Sequence, residues 1–184
     1  MIGVVTLKIM IIGSPGSGKS TYSQAISQRL TYPIFHLDYY WHQSDYSEAA
    51  RLQLNRQQNK FMQEHDHCII DGNYSSTMPD RMKQADLIIW LQVSRTTAIK
   101  RVIQRSLRQK WWHQSRIDMA ENFSEHFDRE YWQFLKFVWD YPKRNNQLIK
   151  ANYQKYAANK TLVILKNQSE KEQFLQDLMK LAKS

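Results

Sequence analysis

Eight consecutive residues carry the densest chemistry in this chain of 184: Gly13-Ser14-Pro15-Gly16-Ser17-Gly18-Lys19-Ser20. They fill the pattern G-x-x-x-x-G-K-[ST], the P-loop or Walker A motif. Glycine lets the main chain curl closely enough for successive N–H groups to wrap a phosphate. A helix starting at the end of that turn adds its free amides and the positive end of its dipole. Lys19 would bring an ammonium to the β- and γ-phosphates, and the Ser20 hydroxyl would ligate Mg²⁺. Thr21 completes the candidate set. The expected ligand is a purine nucleotide, ATP with Mg²⁺. At average residue usage a chance match in a chain this long is on the order of one per cent or less.

Two acids join the loop if the chain is an open α/β sheet, where ligands sit beyond the carboxyl ends of the strands. Asp38 follows Phe35-His36-Leu37, and Asp71 follows Cys68-Ile69-Ile70 and precedes Gly72. Each carboxylate could hold the water shell of Mg²⁺ or accept a proton from an attacking hydroxyl. Each could equally be a turn residue or a helix cap. Tyr39, Tyr40, Trp41, Asn73 and Tyr74 surround them, as walls of a substrate pocket or as packing for their own loops. His36 is expected to face the core or the sheet edge.

Arg101, Arg105 and Arg108 recur at i, i+4 and i+7, so one helical face carries all three. In a phosphate-transfer enzyme such a face clamps charge that grows on the transferring group. On a protein without that chemistry it is a solvated basic surface.

The elements that must position these residues follow from hydropathy. Val4–Ile12 is an apolar run broken by Thr6 and Lys8, which fits a strand buried on both faces. Tyr22, Ala25, Ile26 and Leu30 then fall at helical spacing, and Pro33 ends that helix. Further strands are expected at Ile34–Leu37, Cys68–Ile70, Asp86–Val93 and Thr161–Leu165. Helices are expected at Ser47–Glu64, on the surface with Ser47 as cap, from Ser94 with a stripe of Ile99, Val102, Ile103 and Leu107, and at Glu170–Ala182. Gln133–Tyr141, apolar nearly all round, reads as a buried helix or a pocket wall, core packing being the better fit. Alternating strands and helices give an α/β chain with a mainly parallel sheet. No repeat or linker divides residues 1–184, so one domain is expected.

Composition narrows the class. The net charge is +9, with seven Lys or Arg and no acid from Arg95 to Ile117. Such clusters attract the phosphates of ATP, of a substrate or of nucleic acid alike. The single Cys68 cannot form an internal disulfide and lies in an apolar run, so a buried thiol and a reducing, cytoplasmic setting are expected. No run of apolar residues reaches the roughly 18 to 20 that a membrane span needs, and the N-terminus lacks the marks of a signal peptide.

These residues resemble the adenylate-kinase-like branch of P-loop kinases, and more closely the bacterial proteins labelled DNA topology modulation protein, or FlaR. The likeness spans Gly13–Ser20, His36-Leu37-Asp38, Ile70-Asp71-Gly72-Asn73-Tyr74 with Arg81 beyond it, Ala85-Asp86-Leu87-Ile88, the helix from Arg95, and Val163-Ile164-Leu165-Lys166-Asn167. It implies a P-loop NTPase three-layer sandwich: a five-stranded parallel sheet in the order 2-3-1-4-5 with helices on both faces. It also implies a substrate-binding insert over about residues 38–66 and a helical lid over about 108–122. By the same likeness Asp71 organises Mg²⁺, the lid arginines fall near Arg101, Arg105 and Arg108, and Lys166 and Asn167 approach the adenine. Those kinases carry an acceptor-gripping Arg where this chain has Ser75, for which Arg81, Arg51 or Arg56 could substitute.

The function expected is an ATP-dependent kinase moving the γ-phosphate to a small acceptor such as a nucleotide, nucleoside or small alcohol. Lys19, Asp38, Asp71, Arg101 and Arg105 would carry catalysis. Asp38, Tyr40, Asn73, Tyr74 and Arg81 would meet the acceptor, and Ser20 and Asp71 the metal. The alternatives are a nucleotide-dependent DNA-binding protein that modulates DNA topology, and an ATPase used only as a switch.

Overall fold

The computed structural model describes residues 6–112 and 128–181, the side chains of 109–112 and 181 apart. Residues 113–122 of the expected lid therefore lie outside the described residues.

Five strands form one parallel sheet in the order β2-β3-β1-β4-β5. They are β1 (Leu7–Gly13), β2 (Ile34–His36), β3 (His67–Asp71), β4 (Leu87–Leu91) and β5 (Thr161–Leu165). Alternation along each strand sends successive side chains to opposite faces, and both faces are covered. Ile9 and Ile11 of β1 pack with Ile69, Ile89 and Leu165 against Tyr22 and Ile26 of α1 (Lys19–Leu30) and Leu175 and Leu178 of α7 (Gln168–Leu181). Met10 and Ile12 turn the other way, with Ile88 and Trp90. They meet Met78 and Met82 of α4 (Met78–Gln84) and Ile149 of α6 (Arg129–Tyr156). Truncating one of these fully buried isoleucines to Ala would cost about 2–5 kcal/mol.

The remaining helices are α2 (Leu37–His42), α3 (Glu48–Glu64) and α5 (Arg95–Trp112). Ser47 caps α3, its hydroxyl accepting from the Ala50 amide at 3.1 Å. The polar α3 is a surface helix with one buried stripe, Ala50, Leu54, Gln58 and Met62. Helix α5 buries Ala98, Val102 and Ser106, while Ile99 and Ile103 are only partly covered.

Two expectations need correction, and one helix was not foreseen. The second strand stops at His36, so Leu37 and Asp38 open the short helix α2. Helix α4 is not among the expected elements; its Pro79 occupies the first turn, where the missing N–H costs nothing. Gln133–Tyr141 is not buried all round. It is part of a 28-residue amphipathic helix that buries Tyr131, Leu135, Val138 and Tyr141 and exposes Trp132, Phe137 and Trp139. That helix runs through Pro142, which can give no helical N–H to the Val138 carbonyl.

Candidate functional site

The phosphate-type loop joins β1 to α1 at the carboxyl edge of the central strand, as the sequence pattern requires. Its glycines are there for steric reasons. A Cβ on Gly13 would sit 2.3 Å from the Leu91 carbonyl oxygen, and one on Gly16 would sit 2.5 Å from that of Ala98. Gly16 and Gly18 have φ of 77° and 88°, a region that side chains disfavour. Gly18 is the N-cap of α1 and offers no side chain to its first-turn amides. The helix therefore begins with N–H groups directed at the loop.

Three carbonyls of the loop are met by donors. The Ser14 carbonyl accepts from the Ser17 amide at 3.0 Å and from Lys19 Nζ at 3.4 Å. The Gly16 carbonyl accepts from Arg101 Nη1 at 3.5 Å, and the Ser17 carbonyl from Lys171 Nζ at 2.8 Å. Ser14 and Ser17 are buried, while Pro15, Lys19 and Ser20 are partly exposed and Thr21 is exposed.

Asn73 lies in the connection after β3, where the sequence led us to expect a substrate contact. In the structure its side chain holds the first residue of the loop. Oδ1 accepts from the Gly13 amide at 3.0 Å, and Nδ2 donates to the Gly13 carbonyl at 2.7 Å.

The two acids both come from the β2–β3 side of this loop. Strand register sets Asp71 beside Ile11 on one side and His36 on the other. Asp71 is buried; its Oδ2 lies 3.0 Å from His36 Nδ1, and its Oδ1 has no hydrogen-bond partner. A buried carboxylate oxygen left open is costly unless a ligand, water or cation completes it. Mg²⁺ usually takes one or two protein oxygens and fills its octahedron with phosphate and water, so this oxygen and the Ser20 hydroxyl fit that ion. His36 thus contacts a site acid, a role the sequence did not single out. The signal was its place two residues before Asp38 at a strand end.

Asp38 sits in the first turn of α2, close to the Tyr74 hydroxyl. Burial, with the Asp38 charge beside it, holds that phenol well above its ordinary range. Tyr40 stacks on Phe35 with ring centroids 4.1 Å apart, and Trp41 meets Tyr74 edge-on at 5.7 Å. An aromatic wall therefore stands beside Asp38.

Arg81 is fully buried. Its Nη1 donates to Gln58 Oε1 at 3.0 Å and Thr77 Oγ1 at 2.9 Å, and its Nη2 donates to the carbonyls of Asn73 and Tyr74. Burial pulls the guanidinium down to about 9, still cationic at neutral pH. Tyr74, between those carbonyls, has φ of 27°, a conformation that needs such support. Arg51 and Arg56 are exposed on α3.

On α5, Arg101 is exposed and reaches the loop, Arg105 is half-buried, and Arg108 is exposed. Lys166 and Asn167 precede α7. The Asn167 side chain caps α7 by accepting from the Glu170 amide at 2.9 Å, and Glu170 reaches back to the Lys166 amide at 2.6 Å. Cys68 is buried, and burial pushes its thiol up to about 11. Among the described residues no helix is long and apolar enough to cross a membrane.

A family model described as AAA domain matches residues 9–133. No curated protein matches significantly. Among solved structures, shikimate kinase from Acinetobacter baumannii in complex with shikimate is similar at a TM-score of 0.59. The two are 16% identical, over 96% of this chain and 93% of that one. Deoxyadenosine kinase from M. mycoides with products dCMP and dCDP is similar at 0.52, with 20% identity over 95% of this chain and 100% of that one. At such identities the likeness is one of fold, and the fold is that of P-loop kinases.

Proposed function

This chain belongs to the AAA domain family, and from that membership and the geometry of its loop we propose that it is an ATP-dependent kinase that phosphorylates a small hydroxyl-bearing molecule. The observation that carries the proposal is the convergence on one edge of the sheet of a phosphate-shaped loop, two strand-end acids and an aromatic wall.

In this reading the amides from Gly16 to Ser20 hold the phosphates, and Lys19 swings from the Ser14 carbonyl to the β- and γ-phosphates. Arg101 stabilises charge on the transferring group, joined by Arg105. Ser20 and the open oxygen of Asp71 hold Mg²⁺, which supplies charge neutralisation between the phosphates when bound. Asp38, beside Tyr74, accepts the proton of the acceptor hydroxyl. Tyr40 and Tyr74 give the acceptor an apolar face. Arg81 and Asn73 shape the acceptor loop and the P-loop from behind, and Lys166 and Asn167 border the adenine. Positioning and electrostatics account for the catalysis.

The neighbouring kinases carry shikimate or deoxynucleotides in their structures, so both alcohol and nucleoside acceptors belong in the test. The full chain is incubated with γ-labelled ATP and Mg²⁺ against nucleosides, nucleoside monophosphates and small alcohols. Labelled product with at least one acceptor, lost in Asp38→Asn, is the expected result. ATP hydrolysis without transfer to any acceptor would make the protein a switch ATPase instead.

A further inference from the structure

We propose that Lys171, far outside the phosphate-binding motif, is a positioning residue that sets the orientation of the Ser17–Gly18 peptide for phosphate binding. The inference rests on the ATP reading above and adds a residue to it.

Lys171 lies in the first turns of α7, 154 residues along the chain from Ser17, whose carbonyl accepts from its Nζ at 2.8 Å. A trans peptide points its C=O and N–H in opposite directions. Drawing the Ser17 oxygen outward onto Lys171 therefore turns the Gly18 N–H inward, to where a phosphate oxygen sits in such a loop. The ammonium also closes the outer side of Gly18, where an added Cβ would lie 3.7 Å from Nζ.

The lysine is itself held. The Tyr22 hydroxyl, one turn into α1, donates to the Lys171 carbonyl at 2.9 Å. Helix α1 thus grips the main chain of Lys171 while the Lys171 side chain grips the loop that starts α1. Leu175 and Leu178 anchor α7 in the same core as Tyr22 and Ile26.

The electrostatics point to an anion. Lys171 is only 6% exposed, and a buried ammonium is expensive. Burial, with the Arg101 charge next, pulls it down to about 8. A second cation facing a buried one raises that cost further. The charge of a phosphate held in the loop near both cations would offset it.

The test is calorimetry of Mg–ATP and Mg–ADP with the full-length wild type and the variants K171M, K171R and Y22F, alongside their melting temperatures. K171M should weaken both nucleotides about tenfold or more, the scale of a lost charge-assisted hydrogen bond. Its melting temperature should stay near that of wild type, because methionine removes a buried charge. K171R should recover most of the affinity. Y22F keeps the ammonium but frees its backbone and should weaken binding by about threefold, so the proposal stays testable if K171M fails to fold. Wild-type affinity in both K171M and Y22F would overturn it, as would K171R binding no better than K171M. If the wild type itself binds neither nucleotide, the underlying ATP reading has failed and this inference goes with it.

Discussion

Asn73 grips both main-chain groups of Gly13, accepting from its amide at 3.0 Å and donating to its carbonyl at 2.7 Å. The end of β1 is thereby fixed to the connection after β3. Asn73→Ala leaves a partly buried amide and carbonyl without these partners, which costs about 1–3 kcal/mol. We expect that loss in urea denaturation and a roughly tenfold weaker Mg–ATP affinity by calorimetry. Asn73→Asp keeps the acceptor but sets a carboxylate oxygen against the Gly13 carbonyl, so it should do no better than Asn73→Ala.

The glycines give a sharper steric prediction. A Cβ on Gly13 would meet the Leu91 carbonyl oxygen at 2.3 Å, against backbone that cannot yield cheaply. Gly13→Ala should lose roughly 3 kcal/mol or more of stability, read as a lower denaturation midpoint. Gly16→Ala, at 2.5 Å from the Ala98 carbonyl oxygen, should push the start of α5 away and weaken nucleotide binding.

The P-loop, the parallel sheet and the place of Asp71 at the end of β3 were legible in the sequence because they rest on local spacing. The buried strands announce themselves as short apolar runs, and Gly13–Ser20 as a single motif. The supports of the site were not legible. Lys171 is brought to Ser17 by the docking of the last helix, and nothing near either residue marks the pairing. Asn73 sits among residues that look like a substrate contact, yet its amide is spent on Gly13. The α6 stretch misled because aromatic residues fall on both faces, and only packing shows that Trp132 and Trp139 lie outside.

Arg81 provides a test of structural against substrate-binding roles. Its guanidinium bridges α3, Thr77 and the carbonyls around the strained Tyr74. Arg81→Met should destabilise by about 2–4 kcal/mol because several buried acceptors lose their donor. Arg81→Lys should recover little, since one ammonium cannot span the fork. A stable Arg81→Met whose only defect is a raised acceptor KM would place Arg81 on the substrate instead.

Cys68 sets an alkaline limit. Burial raises its folded-state value to about 11 from an ordinary 9. Below pH 9 both folded and unfolded states hold the proton, and this thiol adds no pH dependence. Between about 9 and 11 the unfolded state releases it first, so stability falls as pH rises. Cys68→Ala should flatten that part of the stability profile. At pH 8 a thiol reagent should label the wild type only after denaturant is added.

The central claim is that main-chain amides and Lys19 grip a polyphosphate at the turn between β1 and α1. Calorimetric titration of Mg–ATP into the folded wild type and Lys19→Ala tests it most directly. We predict one saturable site per chain in the wild type and at least a tenfold loss in Lys19→Ala with its circular dichroism spectrum unchanged. No heat of binding for ATP, ADP or GTP with a demonstrably folded wild type, or equal affinity in Lys19→Ala, would contradict it.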